Sequence, residues 1–90
     1  LIRIDINFML EVTTSNTDIT INVKEKHSGG SAATIQSIVR SKAAAGNMAI
    51  GFSLFRHAAD GTDIYYEISR NSSGGASLLT SSTFAVTKLD

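Results

Sequence analysis

Cysteine is absent from these 90 residues. Its absence excludes disulfides and every thiolate zinc site. The only two histidines, His27 and His57, are too few to suggest a histidine-rich metal cage. Tryptophan is also missing, and four Phe and two Tyr supply all the aromatic rings. The large side chains that dominate small cores are therefore scarce. Charge of one sign is lacking as well: eight basic residues balance eight acidic ones, and neither is blocked into a run. A chain without a net field has no long-range means of gathering DNA, RNA or an anionic membrane, so nucleic acid is not an expected partner. No apolar stretch approaches the roughly 20 residues that a membrane-spanning helix needs, and membrane insertion is not expected.

What is present reads as one small domain over residues 1–90. The hydrophobic fraction is 42%, too high for a chain disordered by composition. At this length a single core leaves little margin. With no disulfide or metal to reinforce it, self-association is the remaining stabilising device. The chain opens on Leu1 where an initiator Met would stand, so it is expected to be a C-terminal fragment of a longer chain, with targeting signals or a stalk upstream.

Period-two alternation dominates. Ile2, Ile4, Ile6, Phe8, Leu10 and Val12 share one face of a first strand, and Arg3, Asp5, Asn7 and Glu11 the other. After the polar run 13–18, Ile19, Ile21 and Val23 alternate with Thr20, Asn22 and Lys24. This second strand is expected to form an antiparallel hairpin with the first. Residues 24–31 read as an exposed loop. Residues 32–45 admit two readings: Ile35, Ile38, Val39 and Lys42 have helical spacing among helix-favouring alanines, while the β-branched content suits a strand. The all-β context favours the strand.

Met48, Ile50, Phe52 and Leu54 line one face of the next strand. Asp60-Gly61 then supplies a turn pair suited to a hairpin return through Ile64, Tyr66 and Ile68. Residues 71–75 form another loop, followed by short strands near 77–80 and 83–89. Six or seven short strands without a secure helix make an all-β fold, a small β-sandwich or jelly roll. Its expected core is Ile4, Ile6, Phe8, Leu10, Ile21, Ile50, Phe52, Leu54, Ile68, Phe84 and Val86.

The stretch Ala45-Gly46-Asn47-Met48-Ala49-Ile50-Gly51-Phe52-Ser53-Leu54-Phe55-Arg56, the Asp-Gly loop, Ser77-Leu78-Leu79 and the terminal Ser82-Thr83-Phe84-Ala85-Val86-Thr87-Lys88-Leu89 form a layout over residues 45–90. It resembles the C-terminal head domains of phage tail, needle and spike proteins, which share a trimeric jelly-roll plan with tumour necrosis factor-like domains. The resemblance implies a homotrimer on the virion surface or outside the cell, a stalk upstream, and a role in host attachment or trimer folding. It transfers no site residue.

No catalytic constellation stands out. There is no Gly-x-Ser-x-Gly elbow, and two histidines among many hydroxyls is what chance supplies. Asp60 and Asp63 are better read as acidic loop residues than as calcium ligands, which must number six to eight. The Gly29-Gly30 and Gly74-Gly75 pairs lack the Lys-Ser/Thr that a phosphate loop requires. Asn71-Ser72-Ser73 matches a glycosylation sequon and marks an exposed segment. No cofactor is expected.

The expected function is a non-catalytic binding and assembly module: an attachment tip that meets a host-surface glycan or protein receptor. Recognition would fall to loops 26–31, 57–63 and 70–77, with His57, Asp60, Asp63, Arg70 and Asn71 as candidate ligand contacts. The alternatives are a carbohydrate-binding accessory module of an extracellular enzyme and a purely structural trimerisation cap. The adjacent rings of Tyr65 and Tyr66 must point to opposite faces, Tyr66 inward beside Ile64 and Ile68, and Tyr65 outward. Met9, Phe55 and Tyr65, all away from the core face, are the expected interface residues; for Tyr65 an interface is preferred over sugar stacking because the thin core calls for one.

Overall fold

The computed structural model describes Leu1–Asp90 as seven strands and no helix. They are β1 (Ile2–Val12), β2 (Thr17–His27), β3 (Ala33–Lys42), β4 (Gly46–Arg56), β5 (Thr62–Arg70), β6 (Ala76–Leu78) and β7 (Thr83–Lys88). All pairing is antiparallel and forms two sheets. In the first, β1 lies between β4 on one side and β6 and β7 on the other; in the second, β2 lies between β3 and β5. The sheets stack as a small sandwich, which is the expected fold class.

The pairing departs from the expected hairpins in two places. Strand β1 does not pair with β2, nor β4 with β5; each connection crosses from one sheet to the other. The reason is burial. β1 and β2 each carry a complete apolar face, and placing them side by side in one sheet would leave both faces uncovered. Set face to face, they bury each other. Residues 57–61 span the roughly 10 Å between packed sheets, and Gly61, with φ of 83°, takes the left-handed position in the turn closed by Thr62 N–H to Ala59 O at 3.2 Å. The Asp-Gly pair thus makes a turn, but an inter-sheet one. The hairpin between consecutive strands in the same sheet is β2–β3, turned by Gly29 at φ 77°.

The core follows from this stacking. Five of the nine buried apolar residues come from β1 (Ile4, Ile6, Phe8, Leu10, Val12), three from β2 (Ile19, Ile21, Val23) and one, Ile50, from β4. Tyr66 of β5 crosses the sandwich to meet Phe8 and Phe84, with ring centroids 4.8 and 5.1 Å away. Tilted aromatic contacts of this kind add to area burial. Edge strands receive less cover. Phe52, Leu54, Ile68 and Phe84, expected to be buried, are only half-buried, and Val86, also expected in the core, is 43% exposed. Val86 does face inward, opposite Ile4, but it lies on an edge with no strand beyond it.

Residues 33–42 are a strand, and a bulge explains their helical spacing. Val23 pairs with Gln36 and Lys24 with Thr34, so Ile35 has no cross-strand partner. The extra residue shifts the alternation by one. Ile35 packs against the core, and Ile38, three residues on, lies opposite buried Ile21 on the same face.

A second irregularity divides the edge beyond β1. β6 ends with Leu78 opposite Leu10, whereas β7 begins with Thr83 opposite Asn7. Residues 79–82 bridge the gap, and the Ser82 hydroxyl takes the place of a ladder partner: it accepts from Met9 N–H at 2.9 Å and donates to Met9 O at 3.1 Å.

Candidate binding surface

The strand register places β2–β3 loop residues, the β4–β5 loop and both termini at one end of the sandwich, called here the His27 end. His27 pairs with Thr62 at the limit of β2 and β5, and its Nδ1 lies 3.0 Å from Thr62 Oγ1. The strands below are clamped by an ion pair between the sheets. Arg56 of β4 and Glu25 of β2 both project from inward-facing positions where the apolar stripe ends. The guanidinium donates through Nε to Oε2 at 3.0 Å and through Nη2 to Oε1. A planar fork meeting both carboxylate oxygens fixes orientation as well as distance. The Arg56 hydrogen bonds hold the Glu25 carboxyl below its usual range, against the opposing effect of desolvation, and Glu25 in turn raises Arg56.

Above this clamp, a cleft of about 280 Å³ opens between the two loops, lined by Glu25, His27, Ser31, His57 and Thr62 among others. The β4–β5 loop forms its wall. Ala58, Ala59 and Thr62 also line a second cleft on the other side, of about 490 Å³, together with Asp60, Ile64, Val86 and Lys88. No Phe or Tyr ring borders either cleft. The recognition chemistry of the smaller cleft is hydrogen bonding from imidazole, hydroxyl and carboxylate groups, whereas Leu1, Ile2, Ile64 and Val86 make much of the larger one apolar.

The expected ligand contacts separate into two groups. His57 and Asp60 lie on the loop between the clefts. Asp63 stands one residue past Thr62, on the outer face of β5 opposite Lys26. Arg70 and Asn71 are elsewhere, since Arg70 ends β5 and pairs with Ile19 at the start of β2. The seven residue-to-residue steps from Asp63 to Arg70 correspond to about 23 Å of strand. The three loops 26–31, 57–63 and 70–77 therefore do not form one surface: the first two converge and the third occupies the opposite end.

At that opposite end Asn71 is a structural staple. Its Oδ1 accepts from Asp18 N–H at 3.0 Å and its Nδ2 donates to Asn16 O at 3.0 Å, joining the β5–β6 and β1–β2 connections. Thr17, the only buried polar residue, donates to Thr14 O at 2.7 Å and accepts from Gly75 N–H at 3.2 Å. Gly74 and Gly75 fit because they have no side chain: a Cβ on Gly74 would lie 2.2 Å from Asn71 Oδ1, and one on Gly75 would lie 2.6 Å from Thr13 Oγ1. Here the sequon amide serves the protein's own loops.

Nor do the expected interface residues share a face. Met9 and Phe55 are on the outer face of the first sheet, Phe55 64% exposed opposite Arg3 and Met9 half-buried six residues along β1. Tyr65 faces outward from the second sheet, across from Lys24, and is half-buried rather than exposed. Lys24 there reaches Glu67 at 3.0 Å, and this pairing raises the ammonium's pKa. Beside Phe55 the outer face is polar: the Asp5 carboxylate takes hydrogen bonds from Ser53 and Arg3, which hold its pKa down. These three residues therefore do not form one continuous apolar patch.

Sequence reasoning missed Glu25 and Arg56 as parts of the His27 end, and Thr62 fell within loop 57–63 without being singled out. Glu25 and Arg56 fall where the inward alternation of β2 and β4 turns from apolar to charged, which is the available signal; nothing local to Thr62 marks it. No group of three or more His, Cys, Asp or Glu side chains converges at either end. Comparison of the chain with protein families, with curated proteins and with solved structures finds no match.

Proposed function

We propose that this domain is a non-catalytic binding module of an extracellular or virion-surface appendage, attaching it to a host-surface glycan through the His27 end. The observation that supports this reading is the convergence of the β2–β3 and β4–β5 loops around an open, polar cleft, on a base clamped between the sheets by Glu25 and Arg56. A rigid sandwich that presents adaptable loops is a common platform for recognition. Hydroxyl-rich ligands match the lining: Ser31, Thr62, His27 and His57 can each donate or accept, and a saccharide offers both roles on every hydroxyl. Weak individual contacts of this kind gain strength when several copies of a module are presented together.

A glycan array tests the proposal. The wild-type domain should bind a defined subset of glycans. A Ser31→Ala, His57→Ala double variant should lose that binding at an unchanged melting temperature, while Arg70→Ala at the far end should keep it. Absence of glycan binding by the wild type, or loss through Arg70→Ala alone, would overturn the reading.

A further inference from the structure

The two long sides of the sandwich are not equivalent. On the β5/β7 side, inward-facing side chains lie open: Val86 is 43% and Leu78 38% exposed, and half-buried Ile64 and Ile68 look across at them from the other sheet. Two clefts run along this side, the 490 Å³ one beside Ile64 and Val86 and another of about 200 Å³ bounded by Ile68, Arg70, Ala76 and Leu78. An inward-facing valine left in water indicates a sheet that is short of a neighbouring strand. The free edge of β7 also lacks the usual protection against pairing. It has no proline, and the only charge in Thr83–Lys88 is the terminal Lys88.

We infer that a second copy of this chain covers this side, with the β7 edges of the two copies pairing antiparallel about a two-fold axis so that the first sheet runs on across the dimer. Three observations point to a second copy. First, the β7 sequence is self-complementary. With Ala85 on the axis, Phe84 of one copy faces Val86 of the other, Thr83 faces Thr87, and Lys88 falls opposite Ser82. Aromatic with β-branched and threonine with threonine are favoured cross-strand pairs, and no like charges are opposed. Second, the side has the right size. The molecule measures 42 × 24 × 18 Å, so a long side offers a projected area of about 760–1,000 Å², of the order of the roughly 800 Å² per partner of a standard specific interface. Third, one axis serves both sheets. Tyr66 of β5 packs on Phe84 of β7, so bringing the β7 edges together also brings the two β5 edges together above them and closes the apolar lane from both sides. A chain with zero net charge offers no overall repulsion to this approach.

Two copies, not the three implied by resemblance, follow from this geometry, because a strand edge paired with itself is isologous and closed at two. The inference does not rest on the ligand-binding reading, which concerns the 280 Å³ cleft on the other side of the β4–β5 loop.

The absence of cysteine allows a direct test. The outward-facing Ala85 would lie 4.5–5.5 Å in Cα separation from its symmetry mate in antiparallel pairing, within disulfide reach. In light scattering at high micromolar concentration the wild type should have a mass near 19 kDa, twice the 9.5 kDa of one chain. Under mild oxidation Ala85→Cys should cross-link between chains about tenfold faster than Val39→Cys, which places the thiol on the exposed outer face of the other sheet. Val86→Lys should give a 9.5 kDa species with unchanged far-ultraviolet circular dichroism. A wild-type mass of one or three chains, or equal cross-linking of the two cysteine variants, would overturn the inference. So would a chain that stays single until an unrelated extended peptide is added.

Discussion

Replacing Ile21 by alanine probes the central feature of the architecture, the face-to-face burial of β1 and β2. Ile21 is fully buried, sits mid-strand in β2, and lies opposite Ile38 on one side and Ile68 on the other. Three carbons are removed, a transfer loss of about 2.4 kcal/mol at about 0.8 kcal/mol per methylene. Neighbours on both flanking strands and on the facing sheet limit collapse, so a cavity term of about 1 kcal/mol or more adds to it, for a total of about 3–4 kcal/mol. A domain of 90 residues has about 5–13 kcal/mol to lose, so the variant should remain folded but substantially weakened. Urea titration is the assay, and the midpoint should fall by about 1.5–3 M with an unchanged slope. Phe52→Ala is the internal comparison. Phenylalanine is the larger side chain, but Phe52 lies on edge strand β4 and is only half-buried, so its truncation should cost less than that of Ile21. If Phe52→Ala costs as much as Ile21→Ala or more, the core is not concentrated in the two central strands and the reasoning fails.

Acid should loosen the His27 end. The carboxyl of Glu25 titrates below its usual range because Arg56 bonds its charged form, so the contribution is complete above the unfolded-state pKa and is lost as pH falls through the depressed folded value. Hydrogen-exchange protection factors of amides near residues 25–27 and 56–62, corrected for the intrinsic pH dependence, should fall below the usual carboxylate range in the wild type, and Glu25→Gln should flatten that dependence; an unchanged profile would refute it. Two glycine substitutions should separate close approach from backbone strain. Gly74→Ala meets Asn71 and Thr17 side chains and should cost about 1–3 kcal/mol by overpacking, whereas Gly29→Ala enters open space and should cost about 1 kcal/mol from its positive φ alone. Thermal melts distinguish them, and a larger loss at Gly29 would contradict the assigned roles.

Much of the fold was legible as alternation. The stripes through Ile4, Ile6, Phe8 and Leu10 and through Ile19, Ile21 and Val23 defined two strands and the faces they would bury, and they are the core of the sandwich. The opposite facing of Tyr65 and Tyr66 followed from the same period. Composition excluded disulfides and thiolate zinc sites outright. Alternation tells which face of a strand is apolar, but not which strand lies beside it. Pairing between β1 and β2 and stacking of β1 on β2 satisfy the same local pattern, and only the requirement that both faces be covered at once selects stacking. For the same reason sequence could not separate central from edge strands, so Val86 was expected with Ile4 although it lies beyond the last neighbour. It also could not show that Tyr65 belongs to a different surface from Met9 and Phe55.

The spacing of Ile35 and Ile38 carried real information, but a helix and a bulged strand both place residues three apart on one side, and the bulge is fixed by the register against Val23 and Lys24. At the ends of the sandwich the dependence on tertiary structure is complete. Asn71 and His57 looked alike as exposed polar loop residues; antiparallel strand direction sends them to opposite ends, where one is consumed by the loops' own hydrogen bonds and the other borders an open cleft. Sequence by itself determined the period and polarity of each strand, because these are properties of residues close together along the chain. Neighbours, edges and ends were decided only in three dimensions, because each depends on which distant residues compete for the same buried surface.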